Sequence, residues 1–113
     1  MMTMQLLRDR DETETLALLV MLEARPGKSD ELEAFLASAL PMAEEEPGTV
    51  SWYALKLGPR SFGIFDTFAD QAGRDAHLAG DIAKALFARA DELLAEPPTV
   101  VKPEIVAGKS RHR

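Results

Sequence analysis

The sequence predicts an α+β fold: a four-stranded antiparallel sheet in ferredoxin-like βαββαβ order, with helices on one face. Three observations predict it. Leu16 to Ala24 is apolar at both parities, the pattern of a strand covered on both sides. Val50 to Leu57 and Ser61 to Ala69 are rich in aromatic and β-branched residues and flank Gly58-Pro59, which makes them a hairpin. Helical periodicity appears on either side of that hairpin.

The elements follow in order. Thr15 to Ala24 forms the first strand, and Arg25-Pro26-Gly27 stops it with turn chemistry. Ser29 or Asp30 caps a first helix in which Leu32, Phe35, Leu36, Ala39 and Ala43 recur at helical spacing. Glu31 and Glu33 lie in its first turn, where the helix dipole favours acids. This helix is expected to run to about Glu46 with a kink at Pro41, and Pro47-Gly48 ends it. After the hairpin, Asp70 caps a short helix through Leu78. Gly80 breaks that helix, and Asp81 recaps a longer one with Ile82, Ala85, Leu86, Ala90, Leu93 and Leu94 on one stripe. Pro97-Pro98 closes it, and Thr99 to Ala107 is a last strand in which Pro103 signals an edge or a bulge.

A length of 113 residues fits one domain, expected over 15–108, with a flexible lead-in at 1–14 and a basic tail at 109–113. Cysteine is absent, which excludes disulfides, thiolate metal sites and a thiol nucleophile, and suits a cytoplasmic protein. No run approaches the roughly 18 apolar residues of a membrane span, and the N-terminus lacks a signal-peptide core, so a soluble, unexported protein without a membrane partner is expected. A net charge of −6 with scattered lysines and arginines argues against nucleic acid. Two helices cover one sheet face only. The first strand is central in this topology, so its second apolar face calls for a partner, and a homodimer with sheets packed face to face is expected.

If Gly58-Pro59 joins Leu57 directly to Arg60, Ser51 lies opposite Asp66, Tyr53 opposite Ile64 and Leu55 opposite Phe62. One face then collects Ser51, Tyr53, Leu55, Phe62, Ile64, Asp66 and Phe68, an aromatic wall with a carboxylate, a phenol and a hydroxyl, as in a small-ligand pocket. Trp52 falls on the other face, toward dimer packing. Asp66, buried without a partner, would gain proton affinity and serve as a general base; alternatively it accepts bonds from nearby backbone, Arg60 or Arg74. Glu44-Glu45-Glu46 reads as a solvated face, because adjacent helical residues fan around the axis and do not converge on one ion.

Ala39-Leu40-Pro41, Glu45-Glu46-Pro47-Gly48-Thr49, Phe62 to Asp70 and Ala76-His77-Leu78 resemble the antibiotic biosynthesis monooxygenase family, which includes quinol monooxygenases and anthrone-oxidising enzymes. The resemblance spans about Thr15 to Ala107 and implies a dimeric α+β barrel. It matches His77 to a histidine often found at this helix position, where it would deprotonate a phenol or quinol; otherwise His77 simply caps the helix end before Gly80. In the haem-degrading branch an asparagine, a tryptophan and a histidine hold the porphyrin. The matching positions here are Val20, Phe68 and Phe87, so the resemblance implies no axial imidazole and no haem. Asp81 stands where many relatives carry a second histidine. The same match assigns Leu16, Leu18, Val20 and Leu22 to the pocket and Ala17, Leu19 and Met21 to the dimer.

The function implied is a cofactor-independent monooxygenase that oxidises a small phenolic, quinol or polyketide-like aromatic with O2, without metal, flavin or haem. Asp66 or His77 is the base, Ser51 and Tyr53 orient the substrate, and Val20, Phe62, Ile64 and Phe68 wall it. The alternatives are a non-catalytic dimeric binding protein for a small aromatic or lipid-like metabolite, and an isomerase or decarboxylating enzyme on the same barrel.

Overall fold

The computed structural model describes residues 14–109; nearly all of the expected lead-in and most of the basic tail lie outside the described residues. Strands β1 (Leu16–Glu23), β2 (Thr49–Lys56), β3 (Ser61–Phe68) and β4 (Thr99–Val101) form one antiparallel sheet in the order β2-β3-β1-β4. Helices α1 (Ser29–Ser38), α2 (Leu40–Glu44), α3 (Gln71–Leu78) and α4 (Asp81–Leu93) complete the ferredoxin-like α+β architecture.

In the β1–β3 ladder Leu16 opposes Phe68, Leu18 opposes Asp66, Val20 opposes Ile64 and Leu22 opposes Phe62. These side chains share the helix-facing side, and Leu18, Val20, Leu22, Phe62, Ile64 and Phe68 make the core with Leu32 and Leu36 of α1 and Leu86 and Leu93 of α4. The other parity of β1 carries Leu19 and Met21, registered against Phe65 and Gly63 on β3 and against Val101 and Thr99 on β4. Met21, Tyr53, Leu55 and Val101 on that side are exposed. No helix among the described residues is long and apolar enough to cross a membrane.

Three expectations are corrected. The first helix is two helices, because the Pro41 ring displaces the carbonyl four residues back and the chain breaks at Ala39, with Pro41 in the first turn of α2. The N-cap of α1 is Lys28 without a side-chain bond, rather than Ser29 or Asp30. The last strand pairs over only three residues. It then meets Pro103, which has no N–H to give, and resumes as a single Leu16–Glu104 bridge on the sheet edge.

The hairpin register is the fourth correction, and it matters most. The N–H groups of Leu57 and Gly58 both donate to the carbonyl of Ser61, which leaves three residues in the loop instead of two. One residue of slip exchanges the faces of a whole strand. Trp52 is therefore opposite Asp66 and Ala54 opposite Ile64, while Ser51 opposes Thr67 and Tyr53 opposes Phe65. A bulge at Val50 then returns Thr49 to the helix-facing side, opposite Phe68.

This packing separates two phenylalanines by their effect on stability. Phe62, 2 % exposed, should lose ~3–5 kcal/mol on Phe62→Ala. Phe87, 64 % exposed, should change by no more than ~0.5 kcal/mol on Phe87→Ala. Urea unfolding midpoints with unchanged slope would measure both.

Candidate functional site

The site begins with a helix cap. Asp70 accepts the Gly73 N–H at 2.9 Å, fixing where α3 starts. Arg74 and His77, three residues apart, then share the face turned to the sheet. Arg74 donates through Nη1 to the carbonyls of Ala17 at 3.1 Å and Pro103 at 3.4 Å, tying β1 to the chain after β4.

His77 is 6 % exposed and lies between two carboxylates. Its Nε2 is 2.8 Å from Asp66 Oδ2, and its Nδ1 is 2.6 Å from Glu46 Oε1. Glu46 Oε1 also accepts from Thr49 Oγ1 at 2.7 Å, so the bulge that re-aims Thr49 serves this contact. The Phe68 ring packs on the imidazole at a centroid distance of 5.6 Å.

A glycine pair brings Glu46 within reach. A Cβ on Gly73 would meet the Gly48 carbonyl oxygen at 2.7 Å, and one on Gly48 would meet the Gly73 Cα at 2.9 Å. Only two residues without side chains let the turn after α2 lie this close to α3.

Both imidazole nitrogens face acceptors, and only the imidazolium donates from both. Burial alone would lower the His77 pKa, but Asp66 first and Glu46 second outweigh it and raise it to about 9. Asp66 is completely buried, and that desolvation raises its pKa despite the opposing pull of His77. The Nε2 approach is close but off the N–H line, so neither Asp66 oxygen accepts an aligned hydrogen bond. His77 is thus a held cation, and Asp66 a buried carboxylate with capacity for a proton. The two carboxylates sit at opposite edges of the ring and do not converge; no cluster able to hold a metal occurs among the described residues.

Of the sequence-predicted residues, Asp66 and His77 come together, and Val20, Phe62, Ile64 and Phe68 lie on the same side as buried core. Ser51 and Tyr53 do not join them. The corrected register puts both on the far face, where Ser51 donates to Glu14, Thr67 donates to the same carboxylate at 2.7 Å, and Tyr53 is exposed. Asp66 takes no bond from either expected arginine: Arg74 holds carbonyls, and Arg60 lies 3.8 Å from Glu23. Phe87 points to solvent.

Sequence reasoning missed Glu46 and Trp52. Glu44 and Glu45 are exposed as expected, but Glu46 follows the last helical turn and is freed from the helical fan. Pro47-Gly48 behind it was the available signal. Trp52 packs against the core from the helix-facing side, and its buried Nε1 has no hydrogen-bond partner. It also lines an open cleft of about 280 Å³ between α2 and β2, together with Leu40, Ala43, Glu44 and Thr49.

The family model for antibiotic biosynthesis monooxygenases matches residues 15–89. A Nitrosomonas europaea protein of unknown function is 54% identical, with TM-score 0.88 over 90% of this chain and 99% of that one. A Mycobacterium tuberculosis protein shares the fold at 20% identity and TM-score 0.76, covering 85% and 99% of the two chains. A structure named as an antibiotic biosynthesis monooxygenase shares it at 18% identity and TM-score 0.71, covering 81% and 99%. No curated protein matches.

The clamp has a pH signature. Folding raises the proton affinity of His77 and of Asp66, so the stability that each contributes is complete below its unfolded pKa and is lost as pH rises through its folded one. For His77 the window runs from about 6.5 to about 9. The urea midpoint should fall across that window in wild type, and the fall should flatten in His77→Gln.

Proposed function

The chain belongs to the antibiotic biosynthesis monooxygenase family, and on that premise we propose that it is a cofactor-independent monooxygenase acting with O2 on a small phenolic or quinol substrate. The observation that carries this reading is Asp66: a fully buried carboxylate, without an aligned donor, 2.8 Å from a histidine held as a cation. Such a group takes a proton where an ordinary aspartate does not.

His77 is engaged at both nitrogens and protonated through neutral pH, so the reading gives the base to Asp66. The substrate hydroxyl delivers its proton to Asp66. The phenolate that forms develops its charge beside the His77 imidazolium, a fixed charge that needs no reorganisation. That electron-rich ring reduces O2 itself: one oxygen atom becomes bonded to ring carbon, the other leaves as water, and all four electrons come from the substrate. Glu46 holds the imidazolium in place, and Phe62, Ile64 and Phe68 exclude water. The working unit in this proposal is a homodimer whose sheets meet through the face that carries Met21, Tyr53 and Leu55.

A second reading, a non-catalytic binding protein for the same aromatic class, is favoured by the complete burial of Asp66. Oxygen uptake with menadiol separates the two. Wild type should exceed autoxidation, and Asp66→Asn should lose about 100-fold or more of that excess. Equal rates for wild type, Asp66→Asn and His77→Ala, all at the autoxidation level, would overturn the monooxygenase. A saturable thermal shift with no turnover would then establish the binding protein.

A further inference from the structure

Asp66 has no exposed surface and His77 is 6 % exposed, so a solute meets the clamp only after some segment above it moves. Residues 40–48, which are α2 and the turn after it, close the clamp at Glu46, and a backbone irregularity bounds them at each end. On the α1 side Pro41 has no N–H to give, and the helix breaks at Ala39. On the β2 side the bulge at Val50 interrupts the ladder between Thr49 and Ser51. Each is a point at which a regular hydrogen-bond pattern is already broken.

The packing beneath this segment is thin. It rests on a satellite core of Ala39, Ala43 and Ile82, separate from the main core under α1 and α4. Two alanines and one isoleucine bury little apolar surface for a helix and a turn. Trp52 lies on the seam, packed against both clusters, and its buried Nε1 has no acceptor until water or a solute arrives. The open cleft of about 280 Å³ between α2 and β2 runs along the same seam. Among the described residues, the one side-chain hydrogen bond from this segment to a helix is that of Glu46 Oε1 with His77 Nδ1, at 2.6 Å. Glu46 Oε2 fits where Gly80 has no side chain, 3.3 Å from where a Cβ would stand, and the Gly48 backbone seats on Gly73.

We propose that residues 40–48 are a flap, hinged at Ala39 and Val50 and latched by Glu46 on His77, and that its opening is the route by which solutes reach the clamp. Opening withdraws Glu46 from Nδ1 and uncovers Trp52, the cross-strand neighbour of Asp66, while the β1–β3 ladder beneath stays paired. The flap governs access to the site that the monooxygenase reading uses, but it requires no turnover.

Hydrogen exchange, followed residue by residue by NMR on the full chain, tests it. In wild type the amides of Ala43, Glu45 and Glu46 should exchange at least about tenfold faster than those of β1, with no response to sub-denaturing urea, because a local opening exposes little surface. Glu46→Gln removes the charge from the latch, and Gly73→Ala pushes the Gly48 carbonyl away without altering a charge. Each should speed the flap amides by at least about tenfold more and leave β1 and α4 unchanged. Glu45→Gln, the same change at the exposed neighbour, should have no such effect. Trp52 is the single tryptophan of the chain, so its indole proton is a resolved reporter of access, and its exchange should quicken in step with the flap amides. Flap amides as protected as those of β1, no acceleration in either latch variant, equal acceleration in Glu45→Gln, acceleration shared by β1 and α4, or an indole proton that does not follow the amides would each overturn the proposal. Flap exchange as expected without oxygen uptake would leave it standing and remove the monooxygenase; oxygen uptake by a protein whose flap amides match β1 would do the reverse.

Discussion

A cationic imidazole gripped by two carboxylates is the contact on which the arrangement of this domain turns. Asp66 belongs to a central strand, His77 to a helix above it, and Glu46 to the turn that leads into an edge strand. A carboxylate with no exposed surface is costly unless a charge of opposite sign meets it, and His77 is that charge. With two carboxylates and one cation the cluster retains a surplus negative charge. The surplus is tolerable because Glu46, unlike Asp66, keeps part of its side chain in water. Buried ion pairs of this kind contribute little net stability compared with a well-packed apolar substitute, while the loss of one partner is severe. Their value lies in fixing which segments meet and how.

The strand beneath that contact divides the molecule into two unlike sides. On one, β1 and β3 interleave Leu18, Leu22, Phe62 and Phe68 under the helices, and the buried titratable side chains among the described residues, Asp66 and His77, belong to the clamp. On the other, the same strands present Met21, Phe65 and, from their neighbours, Tyr53 and Val101, with polar bonding gathered at one end by Glu14, Thr67 and Ser51. Chemistry that depends on a desolvated carboxylate belongs to the first side. The exposed apolar area of the sheet lies on the second.

Much of this was legible in the residue pattern. A strand apolar at both parities announces two apolar faces, and the assignment of Leu18 and Val20 to one and of Leu19 and Met21 to the other agrees with the ladder. Asp66 and His77 stood out as the domain's isolated acid on an aromatic strand and its lone interior histidine, though nothing in their spacing disclosed that they touch. What stayed hidden depended on single-residue counts. Pro41 acts on the carbonyl four residues earlier, so the helix broke at Ala39 and not at the proline. That early break ended α2 at Glu44, and Glu46, which an unbroken helix would have pointed to water, was left to turn inward. The glycine contact that draws it to His77 joins Gly48 and Gly73, and no local pattern reveals an approach between residues so far apart in sequence.

The loop between β2 and β3 acts as a parity bit. Its three residues decide whether an indole or a phenol stands beside the buried acid, since Trp52 and Tyr53 are neighbours and alternate in face. A relative lacking one residue between Tyr53 and Gly58, with the same three-residue loop, would turn Tyr53 rather than Trp52 toward the helix-facing side. Which side chains of β2 face the helices is therefore open to change by a single insertion or deletion near a surface turn, and comparison of such proteins by aligned residue identity alone would overlook it.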